Sequence, residues 1–213
     1  GWARDESIRA DGYDPERANA LLDEAGWTQR NADGIRTKDG QPLSVSVMTP
    51  TGDQLRALAE QVIQEQLRGV GVDLTIGNVP ANVMFAVDGP LKTGDFDIAM
   101  DTWGPDVDPG SWLALLFASS SIPTEADPNA GWNFIRLSSP EVDAGIEAGN
   151  STLDLEARKA AYARAQQGIL DSKAYIPLYT RFRLDAFTDR LSGYAANPWD
   201  EFGWDSGSWY LSH

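Results

Sequence analysis

The side chains best suited to chemistry gather in residues 88–127, where eight carboxylates accompany a single lysine. Within this stretch, the segment 94–109 (GDFDIAMDTWGPDVDP) places Trp103 between Asp101 and Asp106. An aromatic face beside carboxylates suits a cationic group, which gains both a cation–π contact and charge-assisted hydrogen bonds. The pattern therefore favours binding of the amine of a small ligand.

The same carboxylates also fit simpler roles. Asp108 precedes Pro109, a pair that typically caps a helix and fills its first position. Asp101 could serve as the acid of a glycosidase, but the sequence offers no second carboxylate to pair with it. Aspartates in loops usually form turns, so a ligand role for Asp106 competes with a turn-forming role.

The composition excludes several other functions. With 32 acidic and 17 basic side chains the formal net charge is -15, which disfavours binding to nucleic acids and to anionic membrane surfaces. The chain has no cysteine and a single histidine, His213, so thiolate metal sites and serine–histidine catalysis are excluded. A carboxylate site for a hard cation is the remaining metal option. We expect no catalytic residue, no cofactor and no metal.

Hydrophobic periodicity places the acidic segment at the end of a strand. The predicted elements of the first half are a helix that begins at Asp14-Pro15 and ends at Gly26, a strand at 43–48, a helix at 55–67, a strand at 72–79, a helix at 81–92 and a strand at 95–103. This alternation is typical of an α/β sheet with crossover helices, in which ligands bind beyond the carboxyl ends of the strands.

The second half of the chain has a different pattern. It predicts a short helix at 109–117, a loop at 118–131, helices at 138–149 and 153–171, and strands at 175–180 and 182–187. Ser138 and Glu141 fit a capping box for the first of the two longer helices. No stretch approaches the ~20 apolar residues that span a bilayer, so we expect no direct membrane insertion.

Five segments resemble a known family in their order and spacing. They are YDPERANALLDEAGW (13–27), GDFDIAMDTWGPDVDP (94–109), SSPEVDAGI (138–146), DLEARKAAYARAQQGILDSKAYIPLYT (154–180) and LSGYAANP (191–198). Together they resemble the C-terminal part of the family 5 extracellular solute-binding proteins, the peptide/nickel-type receptors of ABC importers. The resemblance covers nearly the whole chain.

The resemblance implies a two-lobed receptor that encloses its ligand between the lobes. Residues 1–190 correspond to the second lobe, an α/β lobe of the periplasmic-binding-protein type II kind. It implies a mixed sheet of about five strands flanked by helices. Residues 191–213 correspond to an irregular C-terminal tail, which in the family returns to pack on the first lobe.

The resemblance also implies roles for particular residues. Asp106 follows Trp103 by three residues, at the position that binds the α-amino group of the ligand in peptide-binding members, and Trp103 lines their pocket. The segment 132–134 matches a further family region but lacks its usual glycine and tyrosines. The predicted ligand-binding residues are Trp103, Asp106, Asp101, Asp108, Trp132, Asn133 and Phe134.

The implied function is capture of an oligopeptide or dipeptide for delivery to the membrane permease of an ABC importer. The implied location is periplasmic or extracellular, with membrane association through an N-terminal part that precedes this chain. An oligosaccharide or a nickel complex remains an alternative ligand, because eight tryptophans suit sugar stacking. Outside the family, a glycoside hydrolase and a protein-interaction domain remain open.

Overall fold

A computed structural model describes residues 1–104, 107–181, 184–197 and 203–212. Its helices are α1 (Pro15–Glu24), α2 (Gln54–Gly69), α3 (Ala81–Met84), α4 (Pro90–Thr93), α5 (Gly110–Phe117), α6 (Pro140–Asn150) and α7 (Leu155–Asp171). Its strands are β1 (Gln29–Arg30), β2 (Arg36–Lys38), β3 (Gln41–Pro42), β4 (Ser44–Met48), β5 (Asp73–Ile76), β6 (Ile98–Ala99), β7 (Leu191–Ser192) and β8 (Tyr210–Leu211). Strands and helices alternate, which confirms the α/β class.

A parallel sheet with the strand order β5-β4-β6 forms the centre of the first half. On the central strand β4, Val47 pairs with Ile76 of β5 on one side and with Ile98 of β6 on the other. Helix α2 makes the crossover from β4 to β5, as parallel pairing requires. The carboxyl ends of the three strands therefore lie at one edge of the sheet, where the chain leaves β6 for the acidic segment.

The remaining strands of the described residues form two small antiparallel sheets. One has the order β1-β2-β3 and occupies the polar connection before β4, and the other joins β7 to β8. The α/β class is as predicted, but in place of one mixed sheet of about five strands the described residues form a three-stranded parallel sheet and two separate antiparallel sheets. The β7–β8 pair ties the start of the C-terminal tail to its end.

Helices α5, α6 and α7 pack around a second apolar core. Its buried residues are Phe117, Val142, Ile146, Ala165 and Ile169. Ser139 caps α6 by accepting a hydrogen bond from the amide of Val142, so the cap lies one residue after the predicted Ser138. None of the helices in the described ranges combines the length and apolar content needed to cross a membrane.

The helix predicted at 81–92 is wrong as a continuous element. Helix α3 ends at Met84 and α4 begins at Pro90, which has no amide hydrogen to continue a helical ladder. Gly89 lies so close to the preceding turn that a Cβ there would come 2.3 Å from the carbonyl oxygen of Val83. Residues 85–89 therefore form a turn between α3 and α4, each of which is a single helical turn.

The strands predicted at 175–180 and 182–187 are also wrong for the part that the structure describes. Residues 175–181 and 184–187 run without strand pairing, and residues 182 and 183 lie outside the described ranges. Strand-like composition does not form a ladder unless a partner edge is available. No such edge reaches this stretch within the described residues.

Candidate ligand-binding site

The candidate site lies beyond the carboxyl end of β6, the position at which α/β sheets bind ligands. Trp103 packs there against a buried cluster that supports it from below. The cluster consists of Met48 from β4, Met84 from α3, Leu91 from α4 and Phe134. The parallel sheet and the two single-turn helices thus set the position of the tryptophan.

Three indole rings form a triangle at this position. The ring centres of Trp103 and Trp132 are 5.2 Å apart, and Trp112 of α5 lies 6.0 Å from Trp103 and 5.9 Å from Trp132. Phe85 meets Trp103 edge to face at 6.2 Å. Aromatic pairs at such separations are worth about 0.5–1.5 kcal/mol beyond their buried area, so the rings hold one another in place.

A cavity of ≈ 460 Å³ opens beside this triangle. It is lined by Phe85, Lys92, Trp103, Asn129, Trp132 and Phe134. The volume lies within the ~300–1,000 Å³ of typical small-molecule pockets. Aromatic walls with one ammonium group and one amide can bind apolar or planar groups and can orient a polar group at one end.

Three of the predicted residues meet at this cavity, namely Trp103, Trp132 and Phe134. Asn133 lies between two of them in sequence but is fully buried. Its amide nitrogen donates to the carbonyl groups of Ala118 and Leu137 at 2.9 and 2.8 Å, and its amide oxygen accepts from the Leu137 backbone amide at 3.0 Å. Asn133 therefore holds the loop that presents its two neighbours.

Two predicted aspartates form ion pairs with arginines and do not line the cavity. Asp101 accepts a hydrogen bond from Arg56 of α2 at 3.0 Å. Asp108 pairs with Arg158 of α7 at 2.7 Å. The backbone amide of Gly110, and next the Arg158 guanidinium, hold the pKa of the Asp108 carboxyl below its usual value. Across the described residues, no three histidine, cysteine or acidic side chains gather to hold a metal ion.

Asp106 lies outside the described residues, but the structure shows what holds the chain just after it. The indole nitrogen of Trp2 donates to the carbonyl of Val107 at 3.0 Å. The Arg158 guanidinium lies 4.9 Å from the Trp2 ring centre and also binds Asp108. The N-terminal segment and α7 therefore hold the chain at Val107 and Asp108.

The sequence did not predict four residues of the site: Phe85, Lys92, Trp112 and Asn129. Lys92 had a signal, because it is the one basic residue among the eight carboxylates of 88–127. The other three had none, since only folding brings residues 85, 112 and 129 to one place.

A parallel sheet with an aromatic cavity beyond its strand ends is the arrangement by which α/β proteins typically bind small ligands. The chain belongs to the bacterial extracellular solute-binding proteins, family 5, whose middle-region model matches residues 1–124. Proteins of this family are binding proteins that act in the periplasm or outside the cell.

The chain is similar to relatives with different ligands. It is 28% identical over 186 residues to the oligopeptide-binding protein AppA of Bacillus subtilis, covering 87% of this chain and 33% of AppA. It is 30% identical over 167 residues to the nickel-binding periplasmic protein of Escherichia coli, covering 78% of this chain and 30% of that protein. The chain thus spans about a third of the length of these curated relatives.

Two solved structures show the same fold. AppA in complex with a nonapeptide has a TM-score of 0.72 at 24% identity, covering all of this chain and 40% of AppA. A periplasmic oligopeptide-binding protein of Thermotoga maritima bound to mannohexaose has a TM-score of 0.67 at 27% identity, covering 78% of this chain and 30% of that protein.

Proposed function

We propose that this chain forms one ligand-binding lobe of a solute-binding receptor of an ABC importer, and that the receptor captures oligopeptides or dipeptides. The observation that carries the proposal is the aromatic cavity beyond β6, which is lined by Trp103, the residue three positions before Asp106 in the sequence. The relatives named for oligopeptide binding support the ligand class. A receptor needs binding and not turnover, which agrees with the arginine-paired state of Asp101 and Asp108.

In this proposal Asp106 binds the α-amino group of the ligand, while Trp103 and Trp132 contact its apolar parts. A first lobe would cover the cavity and exclude water, which strengthens a single carboxylate–ammonium contact. Closure of two lobes about a hinge is an established way for binding proteins to trap a ligand. The lobe of this chain contributes a preformed wall to that closed state.

The wider organisation is proposed on the same basis. Residues 1–190 form the second lobe, and residues 191–213 pack on the first lobe. Trp204 and Tyr210 of the tail are more than half exposed, as an unoccupied contact surface would be. The receptor would work outside the cytoplasm, held to the membrane through a preceding N-terminal part, and would pass its ligand to a membrane permease.

An oligosaccharide or a nickel complex is the second candidate ligand. The indole triangle favours a sugar, because a pyranose ring stacks on an aromatic face. Relatives that bind mannohexaose and nickel show that the family accommodates both. A glycoside hydrolase is disfavoured, since Asp101, its candidate acid, and Asp108 are paired with arginines.

Calorimetric titration of the full-length receptor with a peptide library tests the proposal. Asp106→Asn should weaken peptide binding by about 1.5–3 kcal/mol, the value of a charge-assisted hydrogen bond. N-acetylated peptides should bind poorly for the same reason. Asp88→Asn removes an equal charge from an exposed position in the same acidic stretch and is the matched control.

Two results would contradict the proposal. Equal affinity of the wild type and Asp106→Asn for every peptide would remove Asp106 from the site. Binding of oligosaccharides or nickel chelates in the absence of any peptide binding would replace peptides by the second candidate.

A further inference from the structure

Lys92 is a buried ammonium group in the wall of the cavity. Its side chain extends from α4, and the residue is only 9% exposed. The Nζ atom lies 5.6 Å from the ring centre of Phe134 and 3.4 Å from the carbonyl oxygen of Gly131. Within the described residues, no carboxylate lies within ion-pair distance of this Nζ.

Among the described residues, Lys92 is the lysine that is buried without a carboxylate partner; Lys38 also lacks one, but it is exposed and donates to the carbonyl of Ala25. An ammonium group has three donors, and one long hydrogen bond and one ring face leave it poorly satisfied. Lys159 and Lys173, both on the surface, pair with acids at 2.8 and 2.7 Å. Exposed pairs contribute little, whereas a buried charge without a partner is costly. No described carboxylate fills the open position at Lys92, and this position suits an anion that enters the cavity.

The backbone around Lys92 is fixed before any ligand arrives. The Arg136 guanidinium donates to the carbonyl of Lys92 at 2.9 Å and to that of Pro123 at 2.6 Å. Gly94 ends α4 with φ +82°, and a Cβ there would come 2.5 Å from the Nε atom of Arg136. A charge held by such a framework loses little freedom on binding, which favours affinity.

We propose that Lys92 binds a carboxylate of the ligand, so that the receptor selects peptides with a free carboxyl group near the aromatic walls. This inference rests on the proposed peptide-binding function. The carboxylate can be the C-terminal group of the peptide or the side chain of an acidic residue. In either case the ammonium gains a charge-assisted hydrogen bond inside the cavity.

The test uses the full-length receptor and pools of random tripeptides and pentapeptides, with native mass spectrometry measuring the retained peptide. One pool has free carboxyl termini and a second has C-terminal amides. Two further amidated pools contain either glutamate or glutamine, which separates a side-chain carboxylate from a terminal one. The wild type should retain at least one carboxylate form about 10-fold or more over its neutral counterpart, the ratio expected for a charge-assisted hydrogen bond.

Three variants assign this preference to the lysine. Lys92→Met should lower the carboxylate-to-neutral ratio to about 1, whereas Lys92→Arg should keep a preference because it keeps the charge. Lys159→Met removes a partly exposed lysine away from the cavity lining and should leave the ratio unchanged. Lys92→Met should also keep or raise the melting temperature, since it removes an unpaired buried charge.

The outcomes separate the inference from the proposed function. Equal retention of all four pools by the wild type would overturn the inference and leave peptide binding in place. Equal loss of carboxylate and neutral forms in Lys92→Met, together with a lower melting temperature, would make the lysine a structural residue and would also overturn it. Retention of no peptide by the wild type would reject the proposed function, and the inference with it.

Discussion

Two apolar surfaces of this molecule, the cavity beyond β6 and the outer face of α2, differ in what lies beneath and above them. Under the cavity, Met84 is 0% and Leu91 2% exposed, so the aromatic walls rest on a packed core. On the outer face of α2, Leu55, Leu58 and Val62 are 50%, 59% and 56% exposed. An apolar surface is preformed for binding when buried residues support it, and the cavity meets this condition.

The unpaired stretch 175–180 partly covers the outer face of α2. Leu178 and Tyr179 line a groove with the helix, yet both remain nearly half exposed. The opposite side of the same helix carries Glu60, which is 1% exposed. The apolar repeat predicts the helix correctly, but it does not say which surface covers each side of it.

The largest expected effect is on stability, and it compares the core under the cavity with the groove on the outer face of α2. Met84→Ala should destabilise the fold by about 3 kcal/mol, because a fully buried side chain is lost and a cavity remains. Leu178→Ala should cost less than about 1 kcal/mol, since half of that side chain already contacts water. Urea unfolding of both variants measures the difference. Equal losses would show that the groove is as well packed as the cavity floor.

The elements that local chemistry determines were predictable from the sequence. Asp14 before Pro15 predicts the start of α1, and Asp14 accepts a hydrogen bond from the Arg17 amide there. The apolar repeat of α2 and the strand at Ser44–Met48 follow from periodicity in the same way. Such signals lie within one turn or one strand of the residues that they position.

The features that depend on distant contacts were not predictable. The strand composition of 175–180 lacks a partner edge within the described residues, so no ladder forms there. The cavity combines residues 85, 92, 103 and 129–134, four separate stretches of the chain, and a single sequence does not show their proximity. Trp103 was predicted from its position beside the carboxylates and through the family resemblance, whereas Lys92 was visible only as the one basic residue among acidic ones.

A smaller effect concerns the inner side of α2. Burial raises the pKa of Glu60, although a hydrogen bond from Asn78 and the charge of Arg56 oppose the shift. The Oε1 atom of Glu60 has no hydrogen-bond partner. The folded state then binds its proton more readily than the unfolded state. Stability should therefore rise as the pH falls from neutral toward 4.5, the ordinary value for this group.

Glu60→Gln should remove this pH dependence and stabilise the fold at pH 7 by about 1 kcal/mol, since it removes a buried charge with an unpaired oxygen. Denaturant unfolding at several pH values between 4.5 and 8 measures both effects. Glu65→Gln, an exposed position on the same helix, is the control. A variant less stable than the wild type at pH 7 would show that the Glu60 charge supports the fold.

The smallest effect concerns Asp53 at the N-terminus of α2. Asp53 caps the helix through the Arg56 amide and also pairs with Arg181, and these contacts lower its pKa to about 2. A lowered pKa gives a contribution that is complete above about 4 and is lost as the pH falls toward about 2. Asp53→Asn keeps a good capping residue but removes the charge. Its melting temperature should approach that of the wild type only in this acidic window. Parallel melting curves for the two proteins from pH 5 to 2 would contradict the assignment.

The indole triangle also has an optical consequence. Because the rings of Trp103, Trp112 and Trp132 lie 5.2–6.0 Å apart, we expect their electronic transitions to couple and to produce an exciton signal in circular dichroism. A molecule that inserts beside Trp103 or Trp132 changes the polarisability around two of the three coupled transitions. The cavity therefore carries its own spectroscopic reporter, which needs no label and responds at the place where a ligand would bind.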